Sequence, residues 1–376
     1  MKIAVLKETK PFERRVSLTP DVVKNLLKAG FSCAVESGAG EDSSLLDEVY
    51  SQAGAEIITD KKTLLADADI ILKVNAPTLD EVAMMRDGAA VISFLYAYTQ
   101  PQLVQALNAK KISAFSMDAV PRTTKAQSMD ALSSQANLAG YKAVLLGANA
   151  MTKIFPLMMT AAGTIKPSKV LIFGAGVAGL QAIATAKRLG AVVEVTDVRP
   201  ETKEQVESLG GKFLTVEGME ANKSEGGYAK EVSAEFLQKQ QDLIKQRIKE
   251  ADLVITTALV MGKKAPILVT EEMVKTMKTG SVIVDMAVES GGNCALSKAN
   301  QTVVKHGVTI IGESNLPAML ASNASDLYAK NISTLLLHLA TKDGFKWEME
   351  EEITKGCLIT HQGQIVHAFT KSILAP

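Results

Sequence analysis

Short apolar runs alternate with amphipathic helical patterns along most of the chain. The runs at residues 2–6 and in the segments SCAVE, DIILKV, AVISFL and KISAFSM predict buried strands. Between them, the segments VVKNLLKAG and PQLVQALNA have helical periodicity; the first has Thr19 as its cap, Pro20 at its first position and Gly30 as its stop. This alternation predicts an α/β fold with doubly wound, mostly parallel sheets.

Two longer helical patterns divide the chain. One begins at Ser133, in SSQANLAGYKAVLLGANAM, and the other at Asn323, in NASDLYAKNISTLLLHLA. We interpret them as helices that join two Rossmann-like domains. Residues 1–132 form the first domain, residues 133–322 the second, and residues 323–376 return to complete the first. A cleft between two such domains is a usual place for a ligand, and the polar, aperiodic residues 215–230 predict a long mobile loop.

The composition is that of a globular chain without a nucleic-acid surface. The 376 residues are 47% hydrophobic and 22% charged, and 41 basic residues balance 41 acidic ones. The cysteines Cys33, Cys294 and Cys357 are far apart and predict buried thiols in a reducing compartment, with no disulfide frame and no metal site. No apolar run approaches the roughly 20 residues of a membrane span, and the chain enters its first strand without an export signal.

The clearest motif is KVLIFGAGVAGLQAIATAKRLGAVVEVTD, which predicts strand, glycine turn, helix and second strand. Gly174, Gly176 and Gly179 form G-x-G-x-x-G directly after the first strand, where backbone N–H groups and a helix N-terminus can hold a pyrophosphate. Asp197 follows the second strand, about 20 residues on, where a carboxylate accepts the hydroxyls of an adenosine ribose and repels a 2′-phosphate. The motif therefore predicts NAD(H) rather than NADP(H).

Two other interpretations of this motif stay open. The glycines can serve helix–sheet packing alone, with Asp197 as a solvated strand end. Arg199, two residues after Asp197, is a type of side chain that accommodates a 2′-phosphate.

The distribution of histidines limits the chemistry that accompanies the nucleotide. All four follow residue 305, so the preceding chain has no imidazole to move the proton that an amino-acid dehydrogenase transfers. Direct hydride transfer between two nicotinamides, from NADH to NADP⁺, needs positioning but no proton relay. The segment PRTTKAQSMDALSSQ supplies hydrogen-bonding groups for that positioning: Arg122, Gln127, Asp130 and Ser133. It also fits an ordinary polar loop in which Asp130 or Ser133 caps the next helix.

Several stretches of the chain resemble one family of proteins. They are KETKPFERRVSLTP, LKVNAP, GAGVAGLQAIATAKRLGA and VDMAVESGGN, and they extend over nearly the whole chain. The chain resembles domain I, the NAD(H)-binding alpha-subunit component of proton-translocating NAD(P) transhydrogenase, which is itself similar to alanine dehydrogenase. PRTTKAQSMDALSSQANLAGY resembles the Arg-Gln-Asp loop of the transhydrogenase branch, and SEGGYAKE resembles its mobile loop.

The resemblance implies a set of site residues. Arg122, Gln127, Asp130 and Ser133 are expected to hold the nicotinamide end of NAD(H), and Tyr228 to close the mobile loop over it. The expected cofactor contacts are Gly174, Ala175, Gly176, Val177, Gly179, Asp197, Val198, Arg199, Gly227, Tyr228, Ala258, Leu259 and Glu289.

Departures from the alanine dehydrogenase pattern argue against an amino-acid substrate. Arg15 and Lys73 match that family's substrate-carboxylate positions, and a structural ion pair or a solvated edge is the alternative interpretation for both. Tyr96 stands where the catalytic histidine of that family is expected. Glu289 stands where its aspartate is expected, and we place it at the end of the apolar strand SVIVDMAV.

The resemblance also implies partners: a membrane-spanning subunit that conducts protons, an NADP(H)-binding component, and a second copy of the chain in a homodimer. The expected location is cytoplasmic, peripheral to the inner membrane through the partner. Two alternatives stay open. One is a self-sufficient NAD-dependent amino-acid dehydrogenase acting on L-alanine, and the other is a non-catalytic NAD(H) sensor in which residues 215–230 report occupancy.

Overall fold

The computed structural model describes residues 1–215, 234–260 and 262–374. The strands are, in chain order, β1 Lys2–Val5, β2 Ser32–Glu36, β3 Glu56–Ile58, β4 Ile70–Leu72, β5 Ala90–Ser93, β6 Ser113–Ser116, β7 Met158–Thr160, β8 Gly163–Ile165, β9 Lys169–Phe173, β10 Val192–Thr196, β11 Lys212–Phe213, β12 Leu253–Thr256, β13 Val282–Asp285, β14 Gln301–Lys305, β15 Val308–Gly312, β16 Ala340–Thr341, β17 Gly344–Phe345, β18 Leu358–His361 and β19 Gln364–Ile365. The helices are α1 Pro20–Lys28, α2 Asp47–Gln52, α3 Lys61–Asp67, α4 Leu79–Met84, α5 Pro101–Ala109, α6 Ala131–Ala150, α7 Val177–Arg188, α8 Thr202–Ser208, α9 Ala234–Ile248, α10 Glu271–Thr276, α11 Ala321–Leu339, α12 Glu352–Cys357 and α13 Ala368–Leu374.

The chain divides into two compact units. The first comprises Met1–Gln135 and Ala318–Pro376, and the second comprises Ala136–Pro317. The helices α6 and α11, which match the two long sequence patterns, lie at these boundaries. The division falls at 135/136 and 317/318, a few residues from the boundaries that the sequence suggests.

The first unit is built on a sheet with the order β19-β18-β6-β5-β4-β1-β2-β3. Strands β1 to β6 are parallel, and the β18–β19 hairpin adds two antiparallel strands at one edge. Both faces are covered, because Tyr328 and Leu335 of α11 pack in one core and Leu103 and Leu107 of α5 in the other. The chain continues from β1 to β2 on one side and later enters β4 on the other, so the strand order reverses between β1 and β4.

The second unit is built on a sheet with the order β11-β10-β9-β12-β13-β15-β14, in which β14 is the antiparallel strand. Its order reverses between β9 and β12. A Cβ on Gly140 of α6 would lie 2.1 Å from the Ala178 carbonyl oxygen, so the missing side chain lets α6 approach α7 closely. The prediction of two doubly wound, mostly parallel α/β sheets is confirmed.

Two details of the sequence interpretation can be checked here. Thr19 holds the N-cap position of α1, but its hydroxyl makes no capping hydrogen bond. The Thr19 carbonyl accepts the first intrahelical hydrogen bond of α1, from the Val23 N–H at 3.0 Å. All three cysteines are buried and free, as expected.

Among the described residues, no helix combines the length and the apolar character needed to cross a membrane.

Candidate functional site

The glycine turn between β9 and α7 has the geometry that its motif predicts. Gly174 has a φ of +99°, and a Cβ there would lie 2.4 Å from the Thr257 hydroxyl oxygen. A Cβ on Gly179 would lie 1.9 Å from the Gly174 carbonyl oxygen. At Gly176, by contrast, a Cβ would meet no atom within 4 Å. Packing thus explains two of the three glycines, while the third leaves backbone open to the approach of a ligand.

Helix α7 begins at this open position. Gly176 is its N-cap, and its first turn contains no acidic residue. The first N–H groups of a helix lack intrahelical partners and carry the positive end of the helix dipole. A twelve-residue helix that starts at a half-buried glycine with open space beside its backbone therefore fits the pyrophosphate of a dinucleotide.

Asp197 follows β10 and is directed toward the same turn. Its Oδ2 accepts the Ala175 N–H at 2.7 Å. Its Oδ1 accepts the Arg199 N–H at 2.9 Å, and the Arg199 guanidinium binds both carboxylate oxygens, with Nε 2.9 Å from Oδ1 and Nη2 2.8 Å from Oδ2. The side chains of Asp197 and Arg199 are 5% and 16% exposed, so the interpretation of Asp197 as a solvated strand end is wrong.

Three further expected cofactor residues follow the next two strands of the sheet. Ala258 and Leu259 come after β12, and Glu289 lies beyond β13 in a short 3₁₀ turn, Val288–Ser290. The carboxyl ends of β9, β10, β12 and β13 are neighbours at the edge where the strand order reverses, which is where doubly wound sheets bind nucleotides. One expectation is wrong, because Glu289 does not end the strand: β13 stops at Asp285, four residues earlier.

Two buried residues that the sequence did not point to shape these loops. Asn293 accepts the Ala258 N–H at 3.0 Å and donates to the Ala258 carbonyl at 2.9 Å. Asp285, which is fully buried, accepts N–H groups from Asn293 and Cys294 and the hydroxyls of Thr256 and Ser297. The side chain of Asn293 therefore holds the backbone of Ala258 in place, and the buried carboxylate of Asp285 in turn holds Asn293.

In the first unit, the four residues expected at the nicotinamide end line one pocket. This pocket of about 440 Å³ lies in the segment from Pro121 to Ser134, and its lining includes Arg122, Gln127, Asp130 and Ser133. Asp130 also caps α6, because it accepts the Ser133 N–H at 2.8 Å and the Ser133 hydroxyl at 2.6 Å. The capping interpretation is thus confirmed, and the cap leaves Asp130 at the pocket wall. Gly227 and Tyr228 lie outside the described residues.

A buried ion cluster occupies the carboxyl ends of β1 and β4 in the first unit. We use this name for Glu8, Glu13, Arg15, Lys73 and Glu81. Arg15 donates to Glu13 through Nε at 2.8 Å and Nη2 at 2.7 Å. The Lys73 ammonium lies 2.9 Å from Glu81 and 3.9 Å from Glu8. All five side chains are 8% exposed or less.

The electrostatics of the ion cluster follow from this pairing. Burial opposes ionisation of Glu13, but the hydrogen bonds from Arg15 outweigh it and lower the pKa of Glu13 to about 2. Burial also opposes ionisation of Glu81, and the nearby Lys73 lowers the pKa of this group below its ordinary value. For Glu8 burial prevails and raises the pKa. Arg15 and Lys73 therefore form structural ion pairs, and the solvated-edge interpretation is wrong.

Tyr96, at the position where alanine dehydrogenase is expected to have its histidine, lies just after β5. Its backbone is in the left-handed region, with a φ of 44°, and the residue is 41% exposed. The Asp118 carboxylate holds this conformation by accepting the N–H groups of Leu95 at 2.8 Å and of Tyr96 at 3.1 Å.

Two doubly wound units, one of them with an open glycine turn at its switch point, are typical of dinucleotide-binding dehydrogenases. The chain belongs to the alanine dehydrogenase/PNT family: the model of the family's N-terminal domain matches residues 4–139 and that of its C-terminal domain residues 143–368. The resemblance seen in the sequence is therefore confirmed.

Individual relatives include members of both branches. The chain is 51% identical to the first portion of NAD(P) transhydrogenase subunit alpha of Rhodospirillum rubrum, with 98% of each chain covered. It is 31% identical to alanine dehydrogenase of Bacillus subtilis, over 98% of this chain and 93% of that one. Among solved structures, it matches a transhydrogenase from Sinorhizobium meliloti with a TM-score of 0.89 and 44% identity, over 97% of this chain and all of that one.

Proposed function

We propose that this chain is the NAD(H)-binding subunit of a proton-translocating transhydrogenase of the Re/Si-specific class. Bound NAD(H) supplies a hydride that is exchanged directly with NADP(H) on a partner component. A membrane-spanning partner couples this exchange to proton movement and holds the chain at the cytoplasmic side of the inner membrane. The chain acts as a homodimer.

The observation that carries this proposal is the open glycine turn beside Asp197. Gly176 leaves backbone accessible at the N-terminus of α7, and Asp197 lies within hydrogen-bonding distance of the Ala175 N–H in the same turn. These residues fit a dinucleotide: the turn and the helix N-terminus hold the pyrophosphate, and the carboxylate accepts the adenosine ribose. The remaining cofactor contacts in this proposal are Val177, Val198, Ala258, Leu259 and Glu289.

The pocket formed by Arg122, Gln127, Asp130 and Ser133 supports direct transfer. Its side chains offer an amide, a hydroxyl, a guanidinium and a carboxylate, which can orient a carboxamide and a ribose by hydrogen bonds. Asp130 is already oriented by the Ser133 hydroxyl and N–H. In the proposal these residues position the nicotinamide end, with Gly227 and Tyr228 closing over it, and no residue has to move a proton.

The ion cluster argues against the amino-acid dehydrogenase alternative. A substrate carboxylate at Arg15 and Lys73 would compete with Glu13 and Glu81, which already bind these cations at 2.7 to 3.1 Å in a buried setting. Separating such a pair costs several kcal/mol unless every charge finds a new partner. The two cations are better explained as structural.

The test is the initial rate of hydride transfer from NADPH to an NAD⁺ analogue. The chain is mixed with an NADP(H)-binding transhydrogenase component, and each protein is omitted in turn. We expect a rate only when both are present, and a strongly reduced rate when Asp197→Ala replaces the wild-type chain. NADH formation from L-alanine and NAD⁺ by the chain alone would favour the dehydrogenase, and tight NADH binding without transfer in any mixture would favour the sensor.

A further inference from the structure

The carboxylate that would bind the adenosine ribose is already fully occupied by the protein. An ionised carboxylate offers about four lone-pair sites. The Oδ1 atom of Asp197 accepts the backbone N–H and the Nε–H of Arg199, both at 2.9 Å. The Oδ2 atom accepts the Ala175 N–H at 2.7 Å and the Arg199 Nη2–H at 2.8 Å. Four donors thus fill four sites.

These four donors differ in whether they can leave. The N–H groups of Ala175 and Arg199 belong to the backbone of the glycine turn and of the segment after β10, where the Thr202 N–H and hydroxyl bind the Arg199 carbonyl at 3.3 and 2.8 Å. The guanidinium, in contrast, is the end of a flexible side chain. Its departure would free one site on Oδ1 and one on Oδ2, which matches the two hydroxyl donors of a ribose diol.

We propose that Arg199 is a specificity-determining latch on Asp197: its guanidinium covers the ribose-binding carboxylate in the empty protein and must swing away for NAD(H) to bind. The inference rests on the proposed NAD(H) site and concerns a residue that would otherwise be counted as a simple contact. Because the latch and the ribose compete for the same lone pairs, Arg199 weakens NADH binding while it is present.

Two surrounding features support a movable guanidinium. Hydrogen bonding to Asp197, with a smaller contribution from Glu201, raises the pKa of Arg199 in this arrangement. A guanidinium is charged at neutral pH in any surroundings, so the side chain also stays charged after release. Glu201, an exposed carboxylate two residues further along the chain, is a second group of opposite charge for the released side chain. Once released, the guanidinium remains close to the ribose, where it would be attracted to a 2′-phosphate.

The latch predicts opposite effects on the two nucleotides. Arg199→Ala removes the competitor, so we expect NADH to bind about tenfold more tightly, the order for one charge-assisted pair. NADPH should bind no better, because Asp197 still repels its 2′-phosphate and the cation is gone. Arg199→Lys keeps the charge but cannot cover both oxygens, so its NADH affinity should lie between those of the wild type and Arg199→Ala.

The experiment is a titration of the full chain with NADH and with NADPH, followed by reduced-nicotinamide fluorescence. Lys203→Ala is the matched control, since it removes an exposed cation four residues away and should leave NADH affinity within about twofold. A double-mutant cycle supplies the decisive comparison: in an Asp197→Ala background, removing Arg199 should give no gain, because no carboxylate is left to cover.

The outcomes separate the latch from the proposed function. NADH affinity that is unchanged or lower in Arg199→Ala would overturn the latch and leave the NAD(H) site in place. A gain that persists in the Asp197→Ala background would also overturn it, since the effect would then be one of general charge. A wild-type chain that binds no NADH would overturn both the site and the latch.

Discussion

The buried pair of Glu13 and Arg15 allows a quantitative prediction about stability. Glu13→Gln keeps the shape of the side chain but removes its charge. The Glu13 side chain is fully buried and accepts donors from Arg15 and from Asn75, the latter at 2.9 Å, while the Arg15 side chain is only 8% exposed. Removing one partner of such a pair leaves the other charge uncompensated. We therefore expect a loss of about 3–5 kcal/mol in the free energy of unfolding of the first unit.

The pKa of Glu13 gives a second route to this magnitude. Folding lowers this pKa from an ordinary value of 4.5 to about 2, against the effect of burial, because Arg15 binds the charged form. The shift corresponds to about 3 kcal/mol of stability at neutral pH. Since the folded pKa is the lower one, this contribution is fully present above pH 4.5 and is lost as the pH falls toward 2. The stabilities of the wild type and Glu13→Gln should therefore converge in acid.

The assay is urea unfolding at pH 7 and at pH 3, followed by tryptophan fluorescence. Trp347 is the single tryptophan of the chain and lies in the first unit, so its emission reports the unfolding of that unit. Glu350→Gln is the control, because this side chain is 87% exposed and should leave the unfolding curve unchanged. A destabilisation of less than about 1 kcal/mol at pH 7, the scale of an exposed pair, would refute the reasoning. So would a gap that does not narrow at pH 3.

Three further predictions concern the nucleotide site and the tryptophan. Asp197→Ala should weaken NADH binding by about 1–3 kcal/mol, the order for charged hydrogen bonds left unmade, and unchanged affinity in a fluorescence titration would remove Asp197 from the site. Gln127→Asn should slow hydride transfer in the mixed-component assay while NADH affinity stays nearly intact, since its proposed task is orientation; an equal collapse of affinity would contradict this. The emission of Trp347 should change with pH as His361, 4.2 Å away between ring centroids, takes up a proton. The midpoint should lie below 6.5, because burial lowers the pKa of His361, and His361→Asn should abolish the transition.

The sequence was informative where a feature depends on neighbouring residues alone. The period of apolar positions located α1, α5, α6 and α11, and the spacing of the three glycines identified the turn after β9. The geometry of the turn explains why glycine is required at two of these positions. A Cβ on Gly174 would collide with the Thr257 hydroxyl, and a Cβ on Gly179 with the Gly174 carbonyl oxygen. The hydrogen bond that Asp197 accepts from the Ala175 N–H in this turn also follows from strand spacing, since the two residues follow adjacent parallel strands.

Features that depend on distant partners could not be predicted in the same way. Asn293 fixes the backbone of Ala258, which is 35 residues away in the chain, and neither residue type nor spacing signals this contact. The segment SVIVDMAV is apolar except for Ser281 and Asp285, and this pattern predicts a strand that reaches Glu289. In the structure β13 ends at Asp285, and the apolar residues 286–288 lie beyond it. For Asp130 the sequence left two interpretations, and the structure shows that capping α6 and lining the pocket are compatible.

The two units show how one architecture can be kept open or closed at its switch point. In the second unit the strand before the reversal ends in a glycine turn, which leaves N–H groups and helix α7 for an external anion. In the first unit β1 is instead followed by Glu8, whose carboxylate accepts the Val74 N–H at 2.6 Å beyond the end of β4, so that a side chain of the protein bridges the reversal. The buried Lys73 ammonium, whose side chain is 2% exposed, lies close to the carboxylates of both Glu8 and Glu81 and offsets their charge. At the switch point of the second unit, the crevice can accept the phosphates of a nucleotide, whereas in the first unit carboxylates of the chain itself fill the equivalent place. This difference explains why sheets of the same architecture need not bind the same class of ligand.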